Sequence, residues 1–298
     1  MIESHIGEMA ALITALFWTV TAAAFEMAGK KVGSLSVNFI RLMIGFVLIS
    51  IFTYFTRGML FPLDASTNSW IWLSISGVIG FFIGDLFLFQ AYVEIGSRIS
   101  MLIMALSPPI TALLGYIIMR EMISITNMIG MAITISGIAL VVLVRKSDSR
   151  RFEFSHSIKG IIFAFVGAIG QSLGLIFSKI GMQNLNPFAA TQIRIISGLC
   201  GFAVLFIVMR KWSGLKTAFT NLRAMTSITI GSIFGPFLGV SFSLIAIQHT
   251  TTGVASTITS VVPVMIIPVS ILVFKEKVSL KEIIGAIITV TGVVLLFL

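Results

Sequence analysis

Apolar residues run along this chain in long blocks, separated by short groups of charged, Gly, Pro or Asn positions. Read as helices, the blocks fall at 7–29, 34–56, 69–92, 97–119, 126–145, 157–180, 187–210, 224–247, 253–274 and 279–298. Each matches the length of a membrane crossing, which takes about 20 mostly apolar residues in a helix. Barrel strands would alternate in and out over about ten residues, whereas these runs are continuously apolar. The pattern predicts an all-α integral membrane protein of ten transmembrane helices, with almost no chain left for a soluble domain.

Composition points the same way. Of the 298 residues 57% are hydrophobic and 10% charged, with a mean hydropathy of +1.08, whereas roughly a quarter of a soluble domain is charged. The residues that open the chain, MIESHIGE, carry acids and neither Lys nor Arg. That is the reverse of a signal-peptide n-region, and the first helix is expected to be retained. The single cysteine, Cys200, falls inside a predicted span and offers neither a disulfide nor a Cys-based metal site; its plainest role is that of a small apolar packing residue. No HExxH, CxxC or Walker-type phosphate loop is present, and zinc proteolysis and ATP-driven pumping have no support in the sequence. No metal or cofactor is expected.

The blocks repeat. Residues 121–143 (EMISITNMIGMAITISGIALVVL) recur as 276–298 (EKVSLKEIIGAIITVTGVVLLFL), with Glu, Ser, Ile, Gly, Ile, Thr, Gly, Leu and Leu in register. At a spacing of roughly 155 residues, Gly80 answers Gly235, Gly84 answers Gly239, Ala91 answers Ala246 and Pro108 answers Pro263. Slightly shifted, Arg41 with Gly45 answers Arg194 with Gly198. Chance matching of apolar sequences aligns Leu and Ile, and seldom Arg, Glu and Pro as well. The polar stretch 146–156 then separates a first repeat, 1–145, from a second, 157–298. With five spans in each, an odd number, the second repeat enters the membrane from the opposite side. Two inverted repeats of similar fold can exchange conformations and open a midplane cavity to either side in turn.

The formal net charge of +9 and pI near 10.1 raise the question of nucleic acid. The placement of the charges argues against it. With ten spans, Lys30, Lys31, Arg98, Arg145, Lys146, Arg150, Arg151, Lys159, Arg210, Lys211, Lys216, Arg223, Lys275, Lys277 and Lys281 fall on one side of the membrane. Arg57, Arg120 and Lys179 fall on the other. This is the positive-inside pattern, not a basic binding face. It makes the loops after the odd-numbered helices cytoplasmic and puts both termini outside, in the plasma membrane of a prokaryotic cell.

The order of these features resembles the EamA-type transporters of the drug/metabolite transporter superfamily. The resemblance rests on the ten spans in two halves, on Trp18 in the first helix, and on an Arg with Gly four residues on in the second helix of each half. It rests also on Pro108 or Pro263 in the fourth helix, then Glu121 or Glu276, then GxxxTxxG at Gly130–Gly137 or Gly285–Gly292. It implies a secondary transporter, an exporter of a small polar metabolite, amino acid or drug-like compound, with no enzymatic activity. In that family a lysine is common near the end of the first helix; here Glu26 stands there, and Lys179 holds the equivalent place in the second half.

Ionisable groups within a span cost several kcal/mol unless paired or hydrated, which makes each a functional candidate. Arg41 and Asp85 both lie roughly 5 Å from the midplane on the same side, within reach of an ion pair. That pair either fixes helix 2 against helix 3 or releases a proton during a transport cycle. Arg194 holds the place of Arg41 in the second half, yet the position answering Asp85 is Val240. Its guanidinium is met either by backbone carbonyls near Pro236 or Pro187 or by a substrate carboxylate or phosphate, which its fork of donors suits. Inversion sets Glu26 and Lys179 roughly 20 Å or more apart, too far to pair. Each either snorkels to its interface or, for Glu26, gates or binds a proton. Gln90, Gln171 and Gln192 either face the cavity or join helices. Pro108 and Pro263, with Gly80, Gly84, Gly235 and Gly239, are candidate hinges. Gly130, Gly137, Gly285 and Gly292 form faces for tight packing. Expected partners are a small-molecule substrate, the lipid bilayer and protons. The rival reading is a lipid-handling enzyme or scramblase whose polar midplane groups meet a headgroup, although no clustered catalytic set is visible.

Overall fold

A computed structural model describes residues 5–119, 124–145, 152–154, 156–250 and 252–296. Glu121, one of the two repeated glutamates, lies outside them. The fold is helical. Helix α1 (Ile6–Val32) ends with Lys30 and Lys31 in its last turn, where cations suit the negative end of the dipole. Gly33, at φ 81° and ψ 146°, turns the chain at once into α2 (Ser34–Arg57). A side chain at that φ would be strained. Helix α2 stops at the left-handed Gly58, whose N–H bonds back to the Tyr54 carbonyl.

Ser66 caps α3 (Thr67–Ser76) by accepting the Ser69 N–H at 3.1 Å. The helix then passes through a π-helical segment, Gly77–Gly84, into α4 (Asp85–Met104). The predicted gap between the third and fourth blocks holds no loop. It is a break inside α4 at Gly96, at φ 79° and ψ 159°. A turn at 105–106 then leads into α5 (Ser107–Met119). A capping box of Ser124 and Asn127 starts α6 (Ile125–Val142).

Among the described residues the one departure from an all-α chain is a small ribbon. Strands β1 (Leu143–Arg145) and β2 (Phe152–Phe154) pair antiparallel, and β2 lies inside the polar linker. Alternating aromatic residues in FEF suit a strand, and the polar average of the linker hides them.

The second half begins with α7 (Ile158–Met182) and α8 (Pro187–Met209), the latter capped by Asn186 with proline in its first turn. Next comes α9 (Trp212–Thr220), a short helix that no apolar block announces. Helix α10 (Leu222–Ser232) passes through a second π-helical segment, Ile233–Gly239, into α11 (Val240–His249). Helices α12 (Thr252–Thr259) and α13 (Val262–Phe274) are separated by a turn at 260–261, and α14 (Leu280–Leu296) closes the fold. The π segments and the turns fall at equivalent places in the two halves, so the repeat extends to local backbone irregularities.

Seven helical stretches among the described residues are long and apolar enough to cross a membrane, and Val262–Phe274 is a shorter apolar helix. Val47, Ile51, Phe55, Val208 and Leu272 are exposed on the outside of the bundle, as a lipid-facing surface requires. Equivalent helices meet across the centre. Gly137 lies against Thr289 and Gly285, and Gly292 against Thr134 and Gly130, so α6 and α14 pack antiparallel. Helices α2 and α8 also run antiparallel, with Gly198 near Leu42 and Gly45 near Ile195. Helix α1 packs on α10–α13 as α7 packs on α3–α5.

Candidate functional site

Between the two halves lies a cavity of about 170 Å³. Both halves line it, and its surface is mostly aromatic and aliphatic, with Trp18, Phe25, Phe81, Phe89 and Tyr92 among the walls. Four polar side chains singled out from the sequence converge there: Arg41, Asp85, Gln171 and Arg194.

The Asp85 carboxylate starts α4, straight after the π-helical segment. One of its oxygens accepts from the Arg41 guanidinium, and the other accepts from Gln171 Nε2 at 2.6 Å. Asn38, one helical turn before Arg41, accepts from Arg41 Nε at 3.0 Å and donates Nδ2 to the Asp85 carbonyl at 3.1 Å. The Arg41 guanidinium also lies over the Phe89 ring, 4.5 Å from its centroid. A buried pair needs its remaining donors and acceptors satisfied, and this network supplies them. The sequence reading missed Asn38, although its spacing of three from Arg41 puts both on one helix face.

Arg194 has a different environment. It is 4% exposed and lines the cavity. Its guanidinium stacks on Phe81 at 4.5 Å, and its Nε has no hydrogen-bond partner. Among the described residues no acid lies within ion-pair distance of it. Asp85 lines the same cavity but is held by Arg41 and Gln171. The equivalent of Asp85, Val240, lines the same cavity as an apolar wall. Two glycines make room for Arg194. A Cβ at Gly80 would come within 3.3 Å of its Nη2, and one at Gly77 would meet its backbone oxygen at 2.3 Å.

The other candidates lie elsewhere. Gln90 accepts from Ser34 and donates to Glu94, outside the cavity lining. Gln192 donates to Ser50 Oγ and the Leu60 carbonyl, tying α8 to α2 and to the chain just after it. Lys179 is exposed. Glu26 does not snorkel: it is 1% exposed, accepts the Ser97 N–H at 2.6 Å and pairs with Lys30. Its carboxylate caps the helix that restarts after Gly96, a role invisible without the break in α4. Next to it Arg98 pairs with Glu276 at 3.2 Å and with Glu282, joining the two halves at the Lys30 end of the bundle. Glu276 thus pairs with an element of the other half. Cys200 is exposed on the outside of the bundle.

Pro108, Pro263 and Gly235 line the cavity, with Pro108 and Pro263 just after the two turns. Gly80 and Gly84 approach Gly174 and Gly170 of α7, and Gly239 abuts Trp18. Gly130, Gly137, Gly285 and Gly292 form the α6–α14 contact.

Fold and cavity together define an integral membrane protein of two related halves around a central polar cluster. The EamA-like transporter family matches residues 5–143 and 158–298, and the chain belongs to it, a member of the drug/metabolite transporter superfamily. It is therefore a membrane transporter by family. One solved structure, titled only as the crystal structure of a protein, is similar in fold: 16% identity, TM-score 0.64, covering 97% of this chain and 95% of that one. No curated protein matches.

Proposed function

We propose that the protein is a secondary transporter, an exporter of a small polar metabolite bearing an anionic group. The anion binds Arg194 in the central cavity, and two inverted five-span repeats alternate around it. The observation that carries this reading is a buried guanidinium with an unpartnered Nε and, among the described residues, no acid within ion-pair distance, lining a cavity between the halves. A buried cation of this kind costs several kcal/mol unless a counter-charge arrives. A carboxylate or phosphate supplies one through paired hydrogen bonds.

Antiparallel packing of α6 on α14 and of α2 on α8 supports the inversion, and the Lys and Arg bias of the loops supports outside termini in a prokaryotic plasma membrane. Ten spans follow if the stretch 67–104 is divided at Gly96, with 97–104 and α5 forming one span, and if α12–α13 and α14 each form another. In this reading Asp85 carries the coupling proton, its release tied to the Arg41 pair. The protein acts on its substrate without chemical change, and its partners are substrate, lipid and protons, with no nucleic acid and no cofactor.

A thermal-shift screen of anionic metabolites in detergent tests the binding step. Stabilisation by carboxylates or phosphates in the wild type, lost in Arg194→Ala, is the expected result; equal stabilisation in both proteins excludes Arg194. A lipid-handling enzyme would instead alter the compound, which analysis of the recovered ligand detects.

A further inference from the structure

Two of the cavity walls are proline-broken helices, one from each half. A proline at position i has no N–H for the carbonyl of residue i−4, and its ring sits on the same helix face as that carbonyl. Pro108 therefore strips the helical donor from the Met104 carbonyl and Pro109 from that of Ala105. Ala105 also faces Pro108 three residues on, so neither a 3₁₀ nor an α-helical bond reaches its oxygen. In the second half Pro263 does the same to Thr259.

Met104, Ala105 and Pro108 line the cavity, as do Thr259 and Pro263. The cavity face is thus the face that carries the stripped carbonyls. Helix α4 packs on α13 and α12 on α5, which brings the two breaks together. Thr21 Oγ1, in the same lining, has no hydrogen-bond partner either. Backbone oxygens without donors are tolerated at membrane depth only where they border a cavity or are met by a ligand.

We infer that the proline-stripped carbonyls of Met104, Ala105 and Thr259 form a second subsite, which takes a neutral hydrogen-bond donor at the far end of the monoanion held by Arg194. The ligand class is a carboxylate or phosphate monoester with a remote hydroxyl. Charge separates this class from a zwitterion. The Arg41–Asp85 pair is neutral as a unit, and Arg194 leaves one positive charge for the ligand to cancel. A monoanion with a hydroxyl cancels it, whereas an added ammonium restores the excess and must also be desolvated. This subsite rests on the anion reading of Arg194, and the two can fail separately.

The test compares straight-chain alkanoates, butanoate to octanoate, with their ω-hydroxy and ω-amino counterparts, by dissociation constant for the purified protein in detergent. Binding of the plain alkanoates that is lost in Arg194→Ala reports the anion site; its absence removes both readings. At one chain length the ω-hydroxy acid should bind about threefold to tenfold more tightly than the plain acid, the range of a hydrogen bond gained by an unsatisfied group. The ω-amino acid should gain less.

In Pro263→Ala and in Pro108→Ala/Pro109→Ala the restored N–H groups occupy the carbonyls, and the ratio should fall towards one. Two independent substitutions keep the test open if one variant does not fold. A ratio of one at every length in the wild type overturns the subsite. So does a hydroxyl preference that survives both sets of proline substitutions, or a larger gain from the amine than from the hydroxyl.

Discussion

Replacing Asp85 with Asn removes the negative charge from a site where both partners of an ion pair are nearly inaccessible, with side-chain exposures of 4% and 6%. Arg41 would keep its bond to Asn38 and its stacking on Phe89, but no acid. Arg194 would lose the acid that lines the same cavity. Removing one partner of a buried pair costs about 3–5 kcal/mol, because the survivor's charge is left uncompensated. The reverse change, Arg41→Met, should cost less, about 1.5–3 kcal/mol, the range of a hydrogen bond to a charged group. Asp85 would still accept from Gln171 and still share the cavity lining with Arg194, a cation that can counter its charge. Adding Arg194→Met to Asp85→Asn should recover part of the loss by removing a second unpaired cation. Unfolding of purified variants in mixed micelles at neutral pH, followed by intrinsic fluorescence, gives the order wild type, Arg41→Met, Asp85→Asn from most to least stable. An Asp85→Asn protein as stable as wild type would mean that Asp85 is neutral at rest. Arg41→Met as the costlier change would mean that Arg194 does not share the carboxylate's field. Either result refutes the charge arrangement.

Other substitutions test the scaffold and the coupling. A Cβ at Gly137 would stand 2.5 Å from Thr289 Oγ1 and 2.6 Å from its backbone nitrogen, so Gly137→Val should destabilise the α6–α14 contact by about 1–3 kcal/mol in the same unfolding assay. Glu26→Gln keeps an acceptor for the Ser97 N–H whereas Glu26→Ala does not; the alanine variant should be the less stable by about 1 kcal/mol, the usual value of a helix cap. If Asp85 carries the coupling proton, Asp85→Asn should flatten the pH dependence of substrate flux, and an unchanged profile would end that role. A reporter fused to the C-terminus should be active only outside the cell, and cytoplasmic activity would reverse the proposed orientation.

Long apolar runs and the doubled motifs made the helices and the repeat legible, because membrane spans are set by a hydrocarbon thickness that composition alone reveals. That Arg41 and Asp85 could reach one another was legible too, from depth along each helix, and the two side chains pair. Rotation about the helix axis was not. Gln171 faces the cavity while Gln90 and Gln192 bond elsewhere, and nothing in the hydropathy of a wholly apolar helix distinguishes those faces. The burial of Glu26 escaped for another reason: its partner is the Ser97 backbone N–H, freed by the positive φ of Gly96, and backbone donors leave no mark in side-chain patterns. Helix α9 was missed because nine residues with interleaved Lys and Thr form no apolar block. The absent partner of Arg194 was legible only through the repeat, which shows Val240 where an acid would stand.

Flux through Arg194 is the most direct test of the proposed transport. The protein, Arg194→Ala and Arg194→Lys would each be reconstituted into proteoliposomes. Uptake of a labelled ω-hydroxy alkanoate that stabilises the wild type would then be compared with protein-free vesicles. Wild-type vesicles should accumulate the unaltered compound, Arg194→Ala should fall to the protein-free level, and Arg194→Lys should retain part of the flux, since a point charge replaces the two-pronged fork. Wild-type flux in Arg194→Ala, or recovery of a chemically changed compound, would contradict transport of an anion through this site.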